Sequence, residues 1–261
     1  MQKDYHSHLA KFKKQDMRYK LTLSYDGSDF CGWQIQPDAP SVQETLEKAL
    51  SVLLRENVAV TGAGRTDTGV NARNYVAHFD CVAGIDDCHQ LCYKLNAILP
   101  GTVVAHSIEE VAADFHARFD AKKRTYRYYL HRAKDPFCAK YSYLCGYPEL
   151  DFDAMNEAAV FLLGRHDFSC FEKSGADAKT SICTVSEAKW EKDDEIHWHF
   201  TISADRFLRN MVRAVVGTLI EVGRGKRSIE SVASLPDSGD GRCAAGESVP
   251  GHALFLESIE Y

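Results

Sequence analysis

Residues 62–70 read Gly-Ala-Gly-Arg-Thr-Asp-Thr-Gly-Val, and they lie between two predicted strands, Val58 to Gly62 and Tyr75 to Phe79. Glycine and aspartate favour turns, so this stretch predicts a loop that joins two strands of a sheet. The loop places one carboxylate, that of Asp67, at a sheet edge where a substrate can reach it. The alternative is a tight surface turn in which Asp67 hydrogen-bonds only to its own backbone.

A nucleotide-binding loop is one competing interpretation of this stretch. Gly64 and Gly69 have the spacing of a Walker loop, but Val70 and Asn71 stand where that loop needs Lys and Ser or Thr. Nucleotide binding is therefore disfavoured.

An aspartic protease is another alternative, since Asp67-Thr68-Gly69 and Asp237-Ser238-Gly239 resemble its two catalytic triplets. Two carboxylates that share a proton require one raised pKa, and the nearby charge of Arg65 opposes such a rise. Asp237 also lies in a polar segment instead of the buried strand that a protease needs. The sequence disfavours this class as well.

Outward from the loop, strands and helices alternate irregularly. Alternating apolar residues predict a strand from Arg18 to Tyr25, and Ser41 with Glu44 forms a capping box for a helix that runs to about Glu56. Further predicted helices are Asp86 to Leu99, Phe152 to Leu163 and Phe207 to Val222. Further predicted strands are Val103 to Val111, Tyr126 to Leu130, Thr184 to Trp190, Ile196 to Ser203 and His252 to Tyr261.

This order of elements predicts an α+β fold with a mainly antiparallel sheet and helices on one side of it. The later elements repeat the order of the earlier ones, so we expect two similar halves. Polar residues 1–16 lack periodicity and are expected to form a disordered tail. The N-terminal half is expected at 17–114, with the Asp67 loop, and the C-terminal half at 115–261.

Composition restricts the function classes. The 261 residues are 45% hydrophobic and 26% charged, which excludes collagen-like, coiled-coil and wholly disordered chains. The sequence has no run of about 18 apolar residues and no basic N-terminal stretch leading into an apolar core, so neither a membrane span nor a secretory signal is expected. The nine cysteines include no Cys-x-x-Cys pair, which favours reduced thiols and a cytoplasmic location.

A cluster of cations follows the predicted N-terminal half, although the net charge of the chain is −6. The cluster contains Arg118, Lys122, Lys123, Arg124, Arg127, Arg132 and Lys134, interleaved with Tyr126, Tyr128 and Tyr129. Cations bind phosphates and aromatic faces stack on bases, so this combination favours RNA binding. The alternative is a solvated strand edge with one tyrosine face in the core.

A second set of cations is predicted on the helix from Phe207 to Val222. Arg206, Arg209 and Arg213 are three and four residues apart, so they share one helix face opposite an apolar stripe. Such a face is often merely solvated. Two basic clusters in an acidic chain nevertheless favour a localised polyanion site.

Two partial sets of metal ligands occur. His197 and His199 share a strand face, and Cys88, His89 and Cys92 share a helix. Neither set is complete at a recognised spacing, so we expect no metal site and no cofactor.

The chain resembles the tRNA pseudouridine synthase A family from about Arg18 to Tyr261. The resemblance rests on a series of motifs in family order: Tyr25-Asp26-Gly27, Phe30, Gly32-Trp33-Gln34, Ser41-Val42-Gln43, Gly64-Arg65-Thr66-Asp67, Asp114-Phe115-His116-Ala117-Arg118, Tyr126-Arg127-Tyr128, Gly164-Arg165-His166-Asp167-Phe168, Met211-Val212-Arg213 and Val216-Gly217. Thr68 and Asn71 depart from the usual family residues, which are Ala and His.

The resemblance implies a homodimer of chains that each have two related halves meeting at a basic cleft. It implies that uridines at nucleotides 38 to 40 of tRNA are isomerised to pseudouridine. By the same resemblance Asp67 is the catalytic carboxylate, Arg213 pairs with it, Tyr126 stacks on the target uracil and Arg65 helps to displace the base.

The chemistry of this reaction agrees with the residues. Isomerisation moves the glycosidic bond from N1 to C5 of uracil, so it is redox-neutral and needs neither ATP nor a metal. One carboxylate is required, either to attack C1′ or to remove a sugar proton, and an adjacent Arg favours its charged form. The uridine must also be flipped out of its stem.

Two other classes compete with this hypothesis. A non-catalytic RNA-binding module would use the same cations and tyrosines, but it would gain nothing from Asp67 beside a phosphate. An Asp-dependent hydrolase would need a second carboxylate or a metal, and the sequence offers neither at a convincing spacing.

Overall fold

The computed structural model describes residues 17–173, 175 and 180–261, so the tail predicted at 1–16 lies outside the described residues. The strands in this part of the chain are β1 Met17–Tyr25, β2 Val60–Gly62, β3 Asn71–Cys81, β4 Val103–Val111, β5 Lys123–His131, β6 Tyr143–Leu144, β7 Gly164–Asp167, β8 Ile182–Lys192, β9 His197–Ala204 and β10 Leu254–Glu260. The α-helices are α1 Val42–Leu54, α2 Cys88–Ile98, α3 Phe152–Val160, α4 Met211–Gly223 and α5 Ile229–Ala233. No helix in these ranges has both the length and the apolar character needed to cross a membrane.

All ten of these strands belong to one sheet. Its main path is β4-β1-β3-β10-β5-β9-β8-β7, while β2 pairs with β3 and β6 pairs with β5. Neighbouring strands are antiparallel except for the pairs β3 with β10 and β5 with β6. The predicted α+β class with a mainly antiparallel sheet is confirmed.

The sheet consists of two repeats of one topology. The order β1-α1-β2-β3-α2-β4 along the chain is repeated by β5-α3-β8-β9-α4-β10. In space the strands lie as β4-β1-β3-β2 and as β10-β5-β9-β8, the arrangement of a ferredoxin-like unit. Because β3 and β10 are parallel, equivalent strands of both halves run the same way, and right-handed crossovers place the four helices on one face. The prediction of two similar halves with helices on one side is confirmed.

Strand β3 has two partners on one of its edges. Ala77 to Phe79 pair with β2, whereas Asn71 and Ala72 pair with β10 of the other half. The loop of residues 63–70 leaves β2 and returns to β3 between these two pairings. It therefore lies at the junction of the halves, a position that follows from the topology alone. Residues 63–70 are called the junction loop.

Strand β5 shows how the sequence pattern fixes the two faces of the sheet. Tyr126 and Tyr128 are buried on the helix-covered face, while Arg127 and Tyr129 are only partly buried on the other face. This matches the predicted alternation of side chains along a strand. One tyrosine face is thus core, and Tyr126 is the member of that face nearest the junction loop.

Two predicted elements were wrong at their starts by four residues: strand β3 begins at Asn71 instead of Tyr75, and helix α4 begins late. Helix α4 begins at Met211 instead of Phe207, because Asn210 has a left-handed conformation with φ of 67° that a right-handed helix does not accept. Phe207 mimics helical spacing, but its ring packs on Tyr126 from a segment without helical structure. Arg206 and Arg209 consequently precede the helix and do not share a helix face with Arg213.

Candidate active site

The junction loop is held from below by three aromatic rings. Trp33 stacks on Tyr75 with ring centroids 4.1 Å apart, and Tyr25 contacts the edge of Tyr75 at 5.6 Å. The hydroxyl of Tyr75 donates to the carbonyl of Gly64 and accepts from the N–H of Gly64 at 3.3 Å. The hydroxyl of Tyr25 lies 2.9 Å from Oγ1 of Thr66. Burial raises the pKa of both tyrosines, so both hydroxyls stay protonated and available to the loop.

Gly32 allows a neighbouring segment to lie directly against the loop. It has a left-handed φ of 95°, and a Cβ at this position would lie 2.3 Å from the carbonyl oxygen of Thr66. The next residue, Trp33, donates its N–H to that same carbonyl at 3.2 Å. Any other residue at position 32 would push this segment away from the backbone beside Asp67.

Asp67 forms an ion pair with Arg213 across the junction. Oδ2 of Asp67 lies 3.2 Å from Nη1 of Arg213, and the two side chains are 27% and 22% exposed. Nε of Arg213 also donates to the carbonyl of Val249 at 2.7 Å. The segment that carries Val249 can lie on α4 because Gly217 has no Cβ, which would meet the carbonyl oxygen of Glu247 at 1.7 Å. Arg213 is thus fixed at one end by backbone and offers its other end to Asp67.

Tyr126 lies beside this ion pair and is 9% exposed. Its ring contacts Phe207 edge-on, with centroids 5.1 Å apart. Burial raises the pKa of Tyr126 to about 12; the charge of Asp67 adds to the rise and the charge of Arg124 opposes it. The hydroxyl is therefore protonated at neutral pH, next to a carboxylate.

The protease alternative does not fit this geometry. Oδ2 of Asp237 lies 2.6 Å from Nδ1 of His166, and Oδ1 accepts the N–H of Asp167. Asp67 has Arg213 as its ion-pair partner. The two aspartates belong to separate hydrogen-bonded groups, so they cannot share a proton.

Comparison with known proteins agrees with this arrangement. Residues 22–120 and 158–261 match the family described as tRNA pseudouridine synthase. The tRNA pseudouridine synthase A of Bacteroides fragilis is 50% identical over 244 residues, which cover 94% of this chain and 96% of the relative. That of Bacteroides thetaiotaomicron is 51% identical over 246 residues, covering 94% and 90%. That of Acetivibrio thermocellus is 41% identical, covering 93% and 98%.

The chain belongs to the tRNA pseudouridine synthase family. It is accordingly an isomerase that converts uridine to pseudouridine in tRNA. Two halves joined at β3 and β10 match the two separate stretches that the family match covers. The catalytic groups of such an enzyme are expected where one carboxylate meets an aromatic ring and a cation, as at Asp67.

Among the cations predicted to bind tRNA, Arg124 instead forms hydrogen bonds to backbone carbonyls of the protein itself. Its Nη1 donates to the carbonyls of Asp205 at 2.7 Å and Ala121 at 3.4 Å. Its Nη2 donates to the carbonyls of Arg118 at 2.7 Å and Ala63 at 2.9 Å. Burial lowers the pKa of Arg124. Four carbonyl oxygens thus surround a partly buried guanidinium at the start of the junction loop.

The other predicted cations lie on the surface around Arg124. Arg65, Arg118, Lys122 and Arg209 are exposed. Lys123 is paired with Glu260, with Nζ 2.6 Å from Oε1. Because Arg124 joins residues 63, 118, 121 and 205, it brings together the segments that carry most of these cations. The two basic clusters of the sequence therefore meet near the junction loop.

Asn71 follows the loop and stands where the family usually has His. Its Oδ1 accepts the N–H of Gly27 at 2.8 Å, and its Nδ2 donates to the carbonyl of His252 at 2.8 Å. One amide supplies both a donor and an acceptor, so the substitution keeps the loop tied to both halves.

Several residues that build the site were not identified as such from the sequence. Tyr25 and Trp33 were recognised only as parts of motifs, and Tyr75 only as part of a strand. Val249 acts through its carbonyl, which any residue carries. The available signal was the set of aromatic residues flanking the glycine-rich loop, which indicates a core beneath it.

Proposed function

We propose that this enzyme isomerises uridines at nucleotides 38 to 40 in the anticodon stem-loop of tRNA, with Asp67 as the catalytic carboxylate. The nucleotides are those implied by the resemblance to the tRNA pseudouridine synthase A family. The observation that carries the assignment of Asp67 is its ion pair with Arg213, 3.2 Å long, beside the buried ring of Tyr126.

The proposal assigns each of these groups a role in the reaction. The target uridine leaves its stem, and its base stacks against Tyr126. This stacking offsets the unstacking energy of a few kcal/mol. Asp67 then either attacks C1′ or removes a sugar proton. The N1–C1′ bond breaks, the uracil turns, a C5–C1′ bond forms, and the proton lost from C5 is balanced by one gained at N1.

Arg213 serves the same reaction by holding the carboxylate. Its Nε is bound to Val249, so Nη1 has a defined position toward Asp67. A fixed guanidinium orients the carboxylate toward the sugar. Arg65 is exposed in the same loop, and we assign it the role of taking the position of the displaced base, as the family resemblance implies.

The proposal extends to organisation and location. The halves are assigned to 17–114 and 115–261, supported by the end of β4 at Val111 and the start of β5 at Lys123. The resemblance supports a homodimer, and the enzyme is assigned to the cytoplasm. All nine cysteines are free thiols, which is consistent with a reducing compartment.

The test is the variant Asp67→Asn assayed by tritium release from tRNA labelled at uracil C5. We expect turnover to vanish while tRNA affinity stays within a few fold, because the charge acts on chemistry and not on docking. Asp237→Asn is the matched control and should keep its turnover. Mass mapping of the treated tRNA locates the product. Appreciable turnover by Asp67→Asn, with deamidation excluded by mass spectrometry, would contradict the assignment.

A further inference from the structure

A second group of reactive side chains lies where β5 ends and β9 begins. Asp135, Cys138 and His197 each offer one ligand atom, and these atoms lie within 4.8 Å of one another. Asp135 and Cys138 are three residues apart in the segment after β5, and His197 is the first residue of β9. All three are partly buried. The isomerisation described above uses none of them.

His197 is held in a defined orientation by Asp194. Nδ1 of His197 lies 2.8 and 2.9 Å from the two carboxylate oxygens of Asp194. The backbone N–H groups of Ile196 and His197 also donate to Oδ1 of Asp194, each at 2.9 Å. When Asp194 accepts a hydrogen bond from the N–H at Nδ1, Nε2 of the neutral ring carries the lone pair. A carboxylate behind a histidine is the usual support of a metal-binding imidazole.

The other ring nitrogen of His197, Nε2, lies near a carboxylate oxygen of Asp135 but forms no hydrogen bond with it. Nε2 of His197 is buried and has no hydrogen-bond partner among the described residues. It lies 3.4 Å from Oδ2 of Asp135. Oδ1 of Asp135 accepts the N–H of Phe137 at 2.8 Å, which fixes the carboxylate. Two acceptor atoms this close to one another are unfavourable unless a proton or a metal cation lies between them.

The separation of these two atoms fits a tetrahedral metal. Zinc binds nitrogen and oxygen at about 2.0–2.2 Å, so two ligands at a tetrahedral angle are about 3.4 Å apart. The observed distance from Nε2 of His197 to Oδ2 of Asp135 is 3.4 Å. The third group, a thiol, favours zinc over magnesium or calcium, which prefer oxygen ligands.

We propose that Asp135, Cys138 and His197 form a zinc site, with Asp194 as the support of the histidine and water as the fourth ligand. Binding replaces the thiol proton of Cys138, which passes to solvent, so the thiolate, the carboxylate and the neutral imidazole become ligands. Binding changes no oxidation state in the protein or in the zinc ion. The site does not depend on the proposed catalytic mechanism.

The site would serve the structure of the segment between β5 and β6. This segment also carries Lys140, which pairs with Asp26 of the other half at 2.6 Å, and Ser142, whose carbonyl lies 3.3 Å from Nε2 of His252. A zinc ion would tie it to the turn between β8 and β9 as well. The expected effect is a higher unfolding temperature in the presence of zinc.

Zinc titration of the purified full-length chain by calorimetry, after treatment with a chelator, tests the proposal. We expect one zinc ion per chain, and a loss of affinity of at least about tenfold in Cys138→Ser and in His197→Gln. Cobalt in place of zinc should give a thiolate-to-metal charge-transfer absorption that Cys138→Ser lacks. Asp194→Asn should weaken binding without removing this absorption.

Two controls separate this site from other ligands in the chain. Cys243→Ser removes an exposed thiol elsewhere and should bind zinc like the wild type. The double variant His6→Ala and His8→Ala removes N-terminal histidines and should also bind normally. The proposal is overturned if zinc does not bind, or if binding survives Cys138→Ser and His197→Gln in proteins with unchanged circular dichroism. Binding lost only with His6 and His8 would likewise overturn it.

Discussion

At the scale of single residues, Arg124 shows that a basic side chain in an RNA-binding sequence context can have a structural role instead of binding phosphate. Its sequence context, among lysines and tyrosines, indicates phosphate binding. In the structure its guanidinium donates to four carbonyl oxygens, one of them at the start of the junction loop. A cation engaged in this way positions the loop and does not reach a phosphate without breaking these bonds.

Arg124→Ala should therefore act on stability and turnover and not on the salt dependence of tRNA binding. The orphaned carbonyls are expected to lower the free energy of unfolding by about 1–3 kcal/mol. We expect a lower kcat and an unchanged slope of log K against log salt. Urea unfolding and binding titrations at several salt concentrations measure both quantities. Unchanged stability with a flatter slope would assign Arg124 to phosphate contact instead.

Tyr126 is the residue whose ring and hydroxyl can be separated. Tyr126→Phe keeps the stacking surface, so tRNA turnover should change less than in Tyr126→Ala. Loss of stacking worth about 1–3 kcal/mol corresponds to a fall of roughly 5- to 150-fold in kcat/KM. Tritium release by both variants checks this. Wild-type kcat in a folded Tyr126→Ala protein would make Tyr126 a core residue only.

At the level of single residues, the sequence singles out side chains with unusual chemistry and misses those with common chemistry. Asp67 stands out because a carboxylate in a glycine-rich loop beside a cation has few structural uses. Asn71 and Val249 do not stand out, since amides and carbonyls bond wherever the chain brings them. The pairing of Asp67 with Arg213, 146 residues apart, came from family resemblance and not from spacing.

At the scale of elements, the basic segment after the N-terminal half contains lysines in different states. Lys122 is exposed, whereas neighbouring Lys123 is paired with Glu260 at 2.6 Å. Lys122→Ala should reduce the salt slope by about one unit if it contacts a phosphate. Lys123→Ala should reduce it less, and Glu260→Gln should strengthen tRNA binding by freeing Lys123. Equal slopes in wild type and Lys122→Ala would show that this residue is merely solvated.

The longer elements were predictable and the short ones were not. Alternation in β1 and β5 and the cap at Ser41 reflect local patterns that the structure retains, with Oγ of Ser41 accepting the N–H of Glu44 at 3.2 Å. Strand β6, with two residues, is too short for any period to be read. The start of α4 was wrong because Phe207 continues the apolar spacing while Asn210 ends the helical backbone.

At the scale of the whole molecule, the two halves form one sheet through a short parallel pairing. Only Phe255 and Leu256 pair with Asn71 and Ala72. Two paired residues on each strand are too few to produce a recognisable alternation in the sequence. The sequence therefore predicted the two halves but not the strands through which they join. The joint matters because it positions a carboxylate of one half against a guanidinium of the other.

Asp26 and Lys140 form a further contact between the halves, and it should make stability depend on pH. Burial tends to raise the pKa of Asp26, but hydrogen bonds from Lys140, Ser28 and Tyr141 outweigh it and lower the pKa from 3.8 to about 2. A carboxyl with a depressed pKa stabilises the fold above its unfolded value, and this contribution is lost as the pH falls from about 4 through about 2. The pKa of Lys140 is raised by the same contact, so its contribution is complete below 10.5 and is lost above it.

Asp26→Asn should thus unfold at a lower temperature than the wild type between about pH 5 and pH 9, and the difference should shrink toward pH 2. Asp29→Asn, an exposed neighbour, is the matched control and should follow the wild type at every pH. Thermal unfolding followed by circular dichroism across this range supplies the comparison. A constant difference down to pH 2 would mean that the carboxylate charge of Asp26 is not what holds the segment of Lys140 against the N-terminal half. The same series in the presence of zinc should leave the difference between wild type and Asp26→Asn intact near neutrality, because the ion pair and the proposed zinc site fasten different ends of that segment.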